Sequence, residues 1–182
     1  MTEWVTSYSW SLDDPAKRRM QAVMDKAVGD SCLDMGCRDG TFSLTLAQAH
    51  PQMRVIGADT DASAVAWANN KAIELGLDNA TFFQVSVFDD FGPNTLGTFS
   101  TVVCMETLEH LPPNRVHEAN DKLLKYLKSK GRLIITVPSG SHISDPDHHT
   151  KFYREMFHGG VTWITEMPLI WLGWYKDFGE TK

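Results

Sequence analysis

The chain has 182 residues, 42% hydrophobic and 22% charged. That composition fits one globular domain, excludes a disordered or fibrous chain, and leaves no room for two full-sized domains. Lys and Arg number 17 against 23 Asp and Glu, a formal net charge of −6, which counts against broad binding of nucleic-acid phosphates.

Residues 1–14, with Trp4, Tyr8 and Trp10, allow two readings: an aromatic lid over a site, or packing on the first helix. That helix is predicted from Pro15, after the capping candidates Asp13 and Asp14, through Met20, Val23, Met24 and Ala27. Ser31 to Met35 reads as a short buried strand, followed by a glycine-containing loop and a helix over Phe42 to Ala49. Arg54 to Ala58 is a second strand, and the next helix has Asp61 as its cap and Gly76 as its stop. Thr81 to Val87 alternates like a strand, and Phe99 to Met105 forms a fourth. Asn114 is the expected cap of a helix carrying Val116, Ala119, Leu123, Leu124 and Leu127 on one side. Gly131 leads into a strand over Arg132 to Val137. A short helix near Tyr153 to Phe157 and two strands, Val161 to Thr165 and Trp171 to Tyr175, complete the chain. Trp163, Trp171 and Trp174 are read as strand packing rather than a binding platform.

Strand and helix alternating at this spacing imply right-handed crossovers and an α/β fold. The expected architecture is a doubly wound, mostly parallel seven-stranded sheet with an antiparallel edge strand and helices on both faces. One domain over residues 1–182 is expected, with no inserted cap domain. Met1 to Trp4 lacks the basic start of a signal peptide, and Glu166 and Pro168 break the most apolar late stretch. Cys32, Cys37 and Cys104 lack zinc-knuckle spacing, so reduced thiols in a cytoplasmic protein are expected.

In such sheets ligands sit beyond the carboxyl ends of the strands, so the loops there carry the functional signal. The first is Leu33-Asp34-Met35-Gly36-Cys37-Arg38-Asp39-Gly40, where Gly36 and Gly40 permit a tight turn and close approach of a ligand. Asp59 ends the second strand about 20 residues later, the place of an acid that binds ribose hydroxyls. A nicotinamide cofactor fits poorly, because Arg38 and Thr41 stand where the second and third glycines of GxGxxG belong. Asp34 beside the loop disfavours a pyrophosphate and suits a positively charged cofactor without phosphates.

Across nearly its whole length the chain resembles the class I S-adenosylmethionine-dependent methyltransferases. Asp34, Gly36 and Gly40 match their D-x-G-x-G-x-G motif, with Arg38 where the middle glycine is usual. The resemblance implies a Rossmann-like fold, S-adenosyl-L-methionine as cofactor, and Asp59 as the acid that holds the ribose. It places Ser86, in Phe82-Phe83-Gln84-Val85-Ser86-Val87, where the family commonly has an adenine-contacting Asp. Cys37, Arg38, Thr60, Val87 and Met105 complete the implied cofactor-binding set.

The fourth loop reads Met105-Glu106-Thr107-Leu108-Glu109-His110-Leu111. In a helical turn Glu109 and His110, three and four residues past Glu106, share its face, and two carboxylates with an imidazole suit a divalent cation. A cluster after the fifth strand, His142 and Asp145-Pro146-Asp147-His148-His149, offers a fourth ligand. This E-x-x-E-H stretch resembles the Hen-type small-RNA 2′-O-methyltransferases and the ubiquinone-biosynthesis O-methyltransferases. The resemblance implies Mg²⁺ or Mn²⁺ on Glu106, Glu109, His110 and one later histidine. His149 is the first choice for that ligand, with His148 left open. A Leu-Glu-His stretch is also widespread in relatives that need no metal; there His110, His148 or His149 becomes the candidate general base.

Methyl transfer from a sulfonium needs alignment of nucleophile, methyl and sulfur and removal of one proton. The expected reaction is O-methylation of a small molecule, with a protein or nucleic-acid acceptor second. The departures at Arg38 and Ser86 keep open a non-catalytic module that binds cofactor or a partner. A dehydrogenase is a distant third.

Overall fold

The computed structural model describes residues 15–89, 93–138, 146–152, 161–167 and 170–175. Seven strands form one sheet in the order β3-β2-β1-β4-β5-β7-β6. In chain order the elements are α1 (Pro15–Met24), β1 (Ser31–Met35), α2 (Thr41–Ala49), β2 (Arg54–Asp59), α3 (Ala62–Glu74) and β3 (Ala80–Gln84). There follow a four-residue α4 (Pro93–Leu96), β4 (Phe99–Met105), α5 (Val116–Lys125), β5 (Leu127–Pro138), β6 (Val161–Met167) and β7 (Ile170–Tyr175). The first five strands are parallel, while β7 runs antiparallel to both β5 and β6. The strand that reverses direction is therefore one in from the edge, and β6 is the outermost.

A sheet covered on both faces needs strands buried on both faces. Every residue of β1 is buried, and its side chains alternate between two cores. Cys32 joins Val23, Leu44, Leu46, Val65 and Phe82 on the α1–α2–α3 side. Leu33 and Met35 join Val102, Ala119, Leu123, Leu133 and Phe152 on the α5 side.

Local chemistry explains the element ends. Asp61 caps α3 by accepting from Ser63 N and Ala64 N, at 2.8 and 3.2 Å. Asn79 Nδ2 donates to the carbonyls of Ala47, His50 and Met53, tying the end of α2 to the start of β3. Gly76 takes φ +65° just past α3, the left-handed stop that its position predicts.

Two expectations need correction. Asn114 does not cap α5: it lies inside a 3-10 turn over Pro113–Arg115, and Arg115 occupies the cap position without a capping bond from its side chain. The third strand ends at Gln84, because Ser86 turns the chain instead, its N–H donating to Asp89 Oδ2 and its Oγ accepting from Phe88 N. Asp13, Asp14, the lid candidates Trp4, Tyr8 and Trp10, the helix near Tyr153, His142 and Asp145 lie outside the described residues.

Candidate active site at the carboxyl edge of the sheet

β1 lies between β2 and β4, and the sheet order reverses there, so the loops after β1 and β4 diverge around a crevice. The first loop is built on Ala58 O, which accepts from Gly36 N at 2.7 Å and Cys37 N at 3.0 Å. Gly36 has φ +81°, and a Cβ there would collide with the Thr107 side chain. The glycine loop therefore packs directly against the loop after β4. Gly40 has φ +73°, and a Cβ would meet the Phe82 ring and Ala68.

Arg38 takes φ +50° where the resemblance expects glycine. A side chain in that region costs about 1–3 kcal/mol and persists where neighbouring bonds fix it. The fixing bond is to Asp59: Arg38 N donates to Oδ2 at 2.7 Å, and Asp61 N donates to Oδ1 at 3.0 Å. A carboxylate has about four acceptor positions, so Asp59 retains capacity for two hydroxyls. Thr60 is exposed beside it, its carbonyl accepting from Gln84 Nε2.

Asp34 departs from its expected role facing a ligand. It is 1% exposed, on the α2 face of β1, and accepts from Ser43 Oγ at 2.7 Å. Burial pushes its carboxyl up to about 7; the Ser43 bond opposes the rise and the Asp59 charge adds to it. Asp34 thus ties β1 to the first turn of α2 beneath the loop. Cys37 is also buried, and burial, then the Asp34 charge, raises its thiol far above the ordinary range. Ser86, Val87 and Met105 lie partly buried at the same edge of the sheet. The Ser86 hydroxyl oxygen already accepts from Phe88 N, and Met105 O accepts from Thr107 Oγ1.

The loop after β4 is not one continuous helical turn. Glu106 takes φ +46°, and a 3-10 turn over Leu108–His110 follows it. Glu106 therefore does not share a face with Glu109 and His110, as a helix would require. Its carboxylate accepts from Thr136 Oγ1 at 2.8 Å and pairs with Arg19 of α1 at 3.4 Å.

Glu109, His110 and His148 do converge, with potential ligand atoms all within 4.8 Å of one another. The two imidazole rings meet edge to face at 4.9 Å. His149, the first-choice histidine, is exposed and contributes only its main chain: His149 N and Thr150 N both donate to Glu109 O, at 2.7 and 3.0 Å. Those two bonds, with Thr150 Oγ1 on Leu111 O, strap residues 147–152 across the turn and deliver His148 in its place.

The cluster's chemistry suits a cation. His110 Nδ1 lies 3.1 Å from Asp147 O. A carbonyl only accepts, so Nδ1 is the donor and Nε2 is the nitrogen left to a ligand, the usual arrangement of a metal-binding histidine. Glu109 is 1% exposed, and its Oε2 has no hydrogen-bond partner among the described residues. Burial and then the Glu106 charge push Glu109 up to about 8. Buried orphan carboxylate oxygens are rare, and a cation satisfies one directly.

The roles of Thr107, Thr136, Arg19, Asp147 and Ser43 lie beyond the sequence reading, because each depends on a contact that no motif spells out.

A doubly wound sheet with a glycine loop after β1 and an acid closing β2 defines a nucleotide-cofactor fold of the class I methyltransferase type. Residues 32–131, more than half of the chain, match the family described as methyltransferase domain, and the chain belongs to that family of S-adenosylmethionine-dependent class I methyltransferases. It is 32% identical over 111 residues to a carboxy-S-adenosyl-L-methionine synthase of Campylobacter jejuni, covering 60% of this chain and 44% of that protein. It is 31% identical over 126 residues to a ubiquinone biosynthesis O-methyltransferase of Xanthomonas euvesicatoria, covering 64% and 51%. The chain thus spans about half the length of the curated relatives it matches. Among solved structures, the small RNA methyltransferase HEN1 superposes with a TM-score of 0.76 over 96% of this chain and 26% of that one, at 16% identity. That likeness is one of fold. Among the described residues no helix is long and apolar enough to cross a membrane.

Proposed function

We propose that the chain transfers a methyl group from S-adenosylmethionine to a hydroxyl of a small molecule. The observation that carries this reading is the packing of Gly36 against Thr107, which sets the cofactor loop beside the loop bearing Glu109 and His110. In the proposed arrangement the glycine loop and Asp59 hold the cofactor, and the Glu109–His110–His148 cluster faces the acceptor. Membership of the methyltransferase-domain family and the similarity to a ubiquinone biosynthesis O-methyltransferase support it.

The cluster's three side chains would hold a divalent cation, Mg²⁺ or Mn²⁺, which when bound favours the deprotonated acceptor oxygen. The chain's own residues orient the site: Asp147 fixes the His110 tautomer, and the His149 and Thr150 amides hold the turn by the Glu109 carbonyl. In a metal-free reaction the His110 Nε2 lone pair is the base. The net charge of −6 favours a small acceptor over nucleic acid, and three free, buried cysteines suit a cytoplasmic protein.

Calorimetric titration of S-adenosylhomocysteine, first with chelator and then with Mn²⁺, tests the reading. Cofactor binding with a separate heat from Mn²⁺ supports it in full. Cofactor binding without a metal heat leaves the His110 base. A folded protein that binds no S-adenosylhomocysteine in either condition refutes the enzyme reading in favour of a non-catalytic module.

A further inference from the structure

Glu106 heads the acceptor-side loop, and its charge bears on Glu109, yet both of its carboxylate oxygens are engaged outside the three-residue cluster. Thr136 Oγ1 donates to Oε1 at 2.8 Å, and the Arg19 guanidinium lies 3.4 Å from Oε2. The main chain is tied to the same residue, because Glu106 N donates to Thr136 O at 3.0 Å and to Thr136 Oγ1 at 3.2 Å. Thr136 is fully buried in β5, so this side of the clasp is rigid. The other side is not. The Arg19 and Glu106 side chains are 22% and 24% exposed, so their pair opens to water without stranding a buried charge.

A guanidinium and a divalent cation compete for the same carboxylate, and a guanidinium cannot relieve the competition by losing its proton. With Arg19 in place, Glu109, His110 and His148 offer one carboxylate and two imidazoles. Freed from Arg19, Glu106 would offer its Oε2 as a second carboxylate oxygen from three residues away along the same loop, while Oε1 stays on Thr136.

We propose that Arg19 holds Glu106 out of metal coordination, so that the first helix sets whether the site offers three protein ligands or four. The proposal rests on the metal reading above but not on the reaction that follows. It makes α1 a regulator of metal affinity: movement of the helix that withdraws Arg19 tightens the cation, and its return loosens it.

The test is a double-mutant cycle on the full chain, read by calorimetric titration of Mn²⁺ alone. Its members are wild type, Arg19→Met, Glu106→Gln and the double variant, each checked for folding by circular dichroism; Arg19→Gln replaces Arg19→Met if the latter unfolds. Arg19→Met should bind Mn²⁺ about fivefold tighter than wild type, the effect of releasing a partly exposed ion pair. Glu106→Gln should cost at least about fivefold more affinity in the Arg19→Met background than in wild type, since only there does Glu106 reach the cation. Equal costs in the two backgrounds mean that Arg19 acts merely as a nearby charge, and they overturn the proposal. Wild type that binds Mn²⁺ with Arg19→Met no tighter overturns it while the metal reading stands. No Mn²⁺ binding by any of the four proteins overturns both.

Discussion

Replacing Asp34 by asparagine removes a buried charge while keeping the side chain's shape and its capacity to accept from Ser43. Asp34 is 1% exposed, and its carboxyl is pushed up to about 7 from an ordinary 3.8. Below about pH 4 both the native and unfolded states hold the proton, so the charge costs nothing. Between about pH 4 and about pH 7 the native state alone keeps the proton, and stability falls as pH rises. Above about pH 7 the full penalty applies, roughly 4 kcal/mol on these values. Asparagine escapes that penalty but brings an amide group whose N–H donors need partners, at about 1–3 kcal/mol at every pH. The informative quantity is therefore the change with pH, not the offset. From about pH 5 to about pH 8, wild type should lose roughly 3 kcal/mol relative to Asp34→Asn, measured by urea unfolding with an unchanged m-value. Glu109, itself pushed up to about 8, tilts both proteins alike and cancels in the difference. A gap that stays constant with pH would show that Asp34 ionises as an exposed carboxylate does, and the burial argument would fail.

Other outcomes follow from the same geometry. Gly36→Ala places a Cβ against Thr107 at φ +81° and should destabilise the fold by about 2–4 kcal/mol in urea unfolding while abolishing S-adenosylhomocysteine binding. His148→Ala should remove the Mn²⁺ heat, whereas His149→Ala should retain it, because His149 serves the turn through its main chain. The reverse result in calorimetry would restore His149 as the ligand. Asn79→Ala, which orphans three carbonyl contacts, should cost about 1–3 kcal/mol without changing cofactor affinity.

The parts of the fold legible in the sequence are those fixed by short-range chemistry. β1 spans the predicted Ser31 to Met35 because a strand buried on both faces must be a continuous run, and Asp61 and Gly76 mark α3 because caps act within a turn. Asp59 and the two glycines were visible for the same reason: each does its work inside one loop. Asn114 misled because Pro112 and Pro113 start a 3-10 turn that consumes it before α5 begins. Helical spacing does not carry from Glu106 to Glu109 and His110, because the chain leaves the helical region at Glu106, whose φ is +46°. The choice between His148 and His149 was out of reach of any local pattern. It depends on amides that bond the Glu109 carbonyl from 40 and 41 residues further along the chain.

That strap gives the site a lifetime as well as a geometry. The amides of His149 and Thr150 on Glu109 O, and Phe152, 1% exposed in the core, help to keep His148 beside His110. A loop segment held to its neighbour by main-chain bonds can open locally at lower free energy than the whole domain unfolds. Amide hydrogen exchange at His149 and Thr150 would time those openings directly. If the strap opens, the cluster loses His148, so the exchange rate of those two amides would set an upper bound on how long a cation is kept by all three side chains.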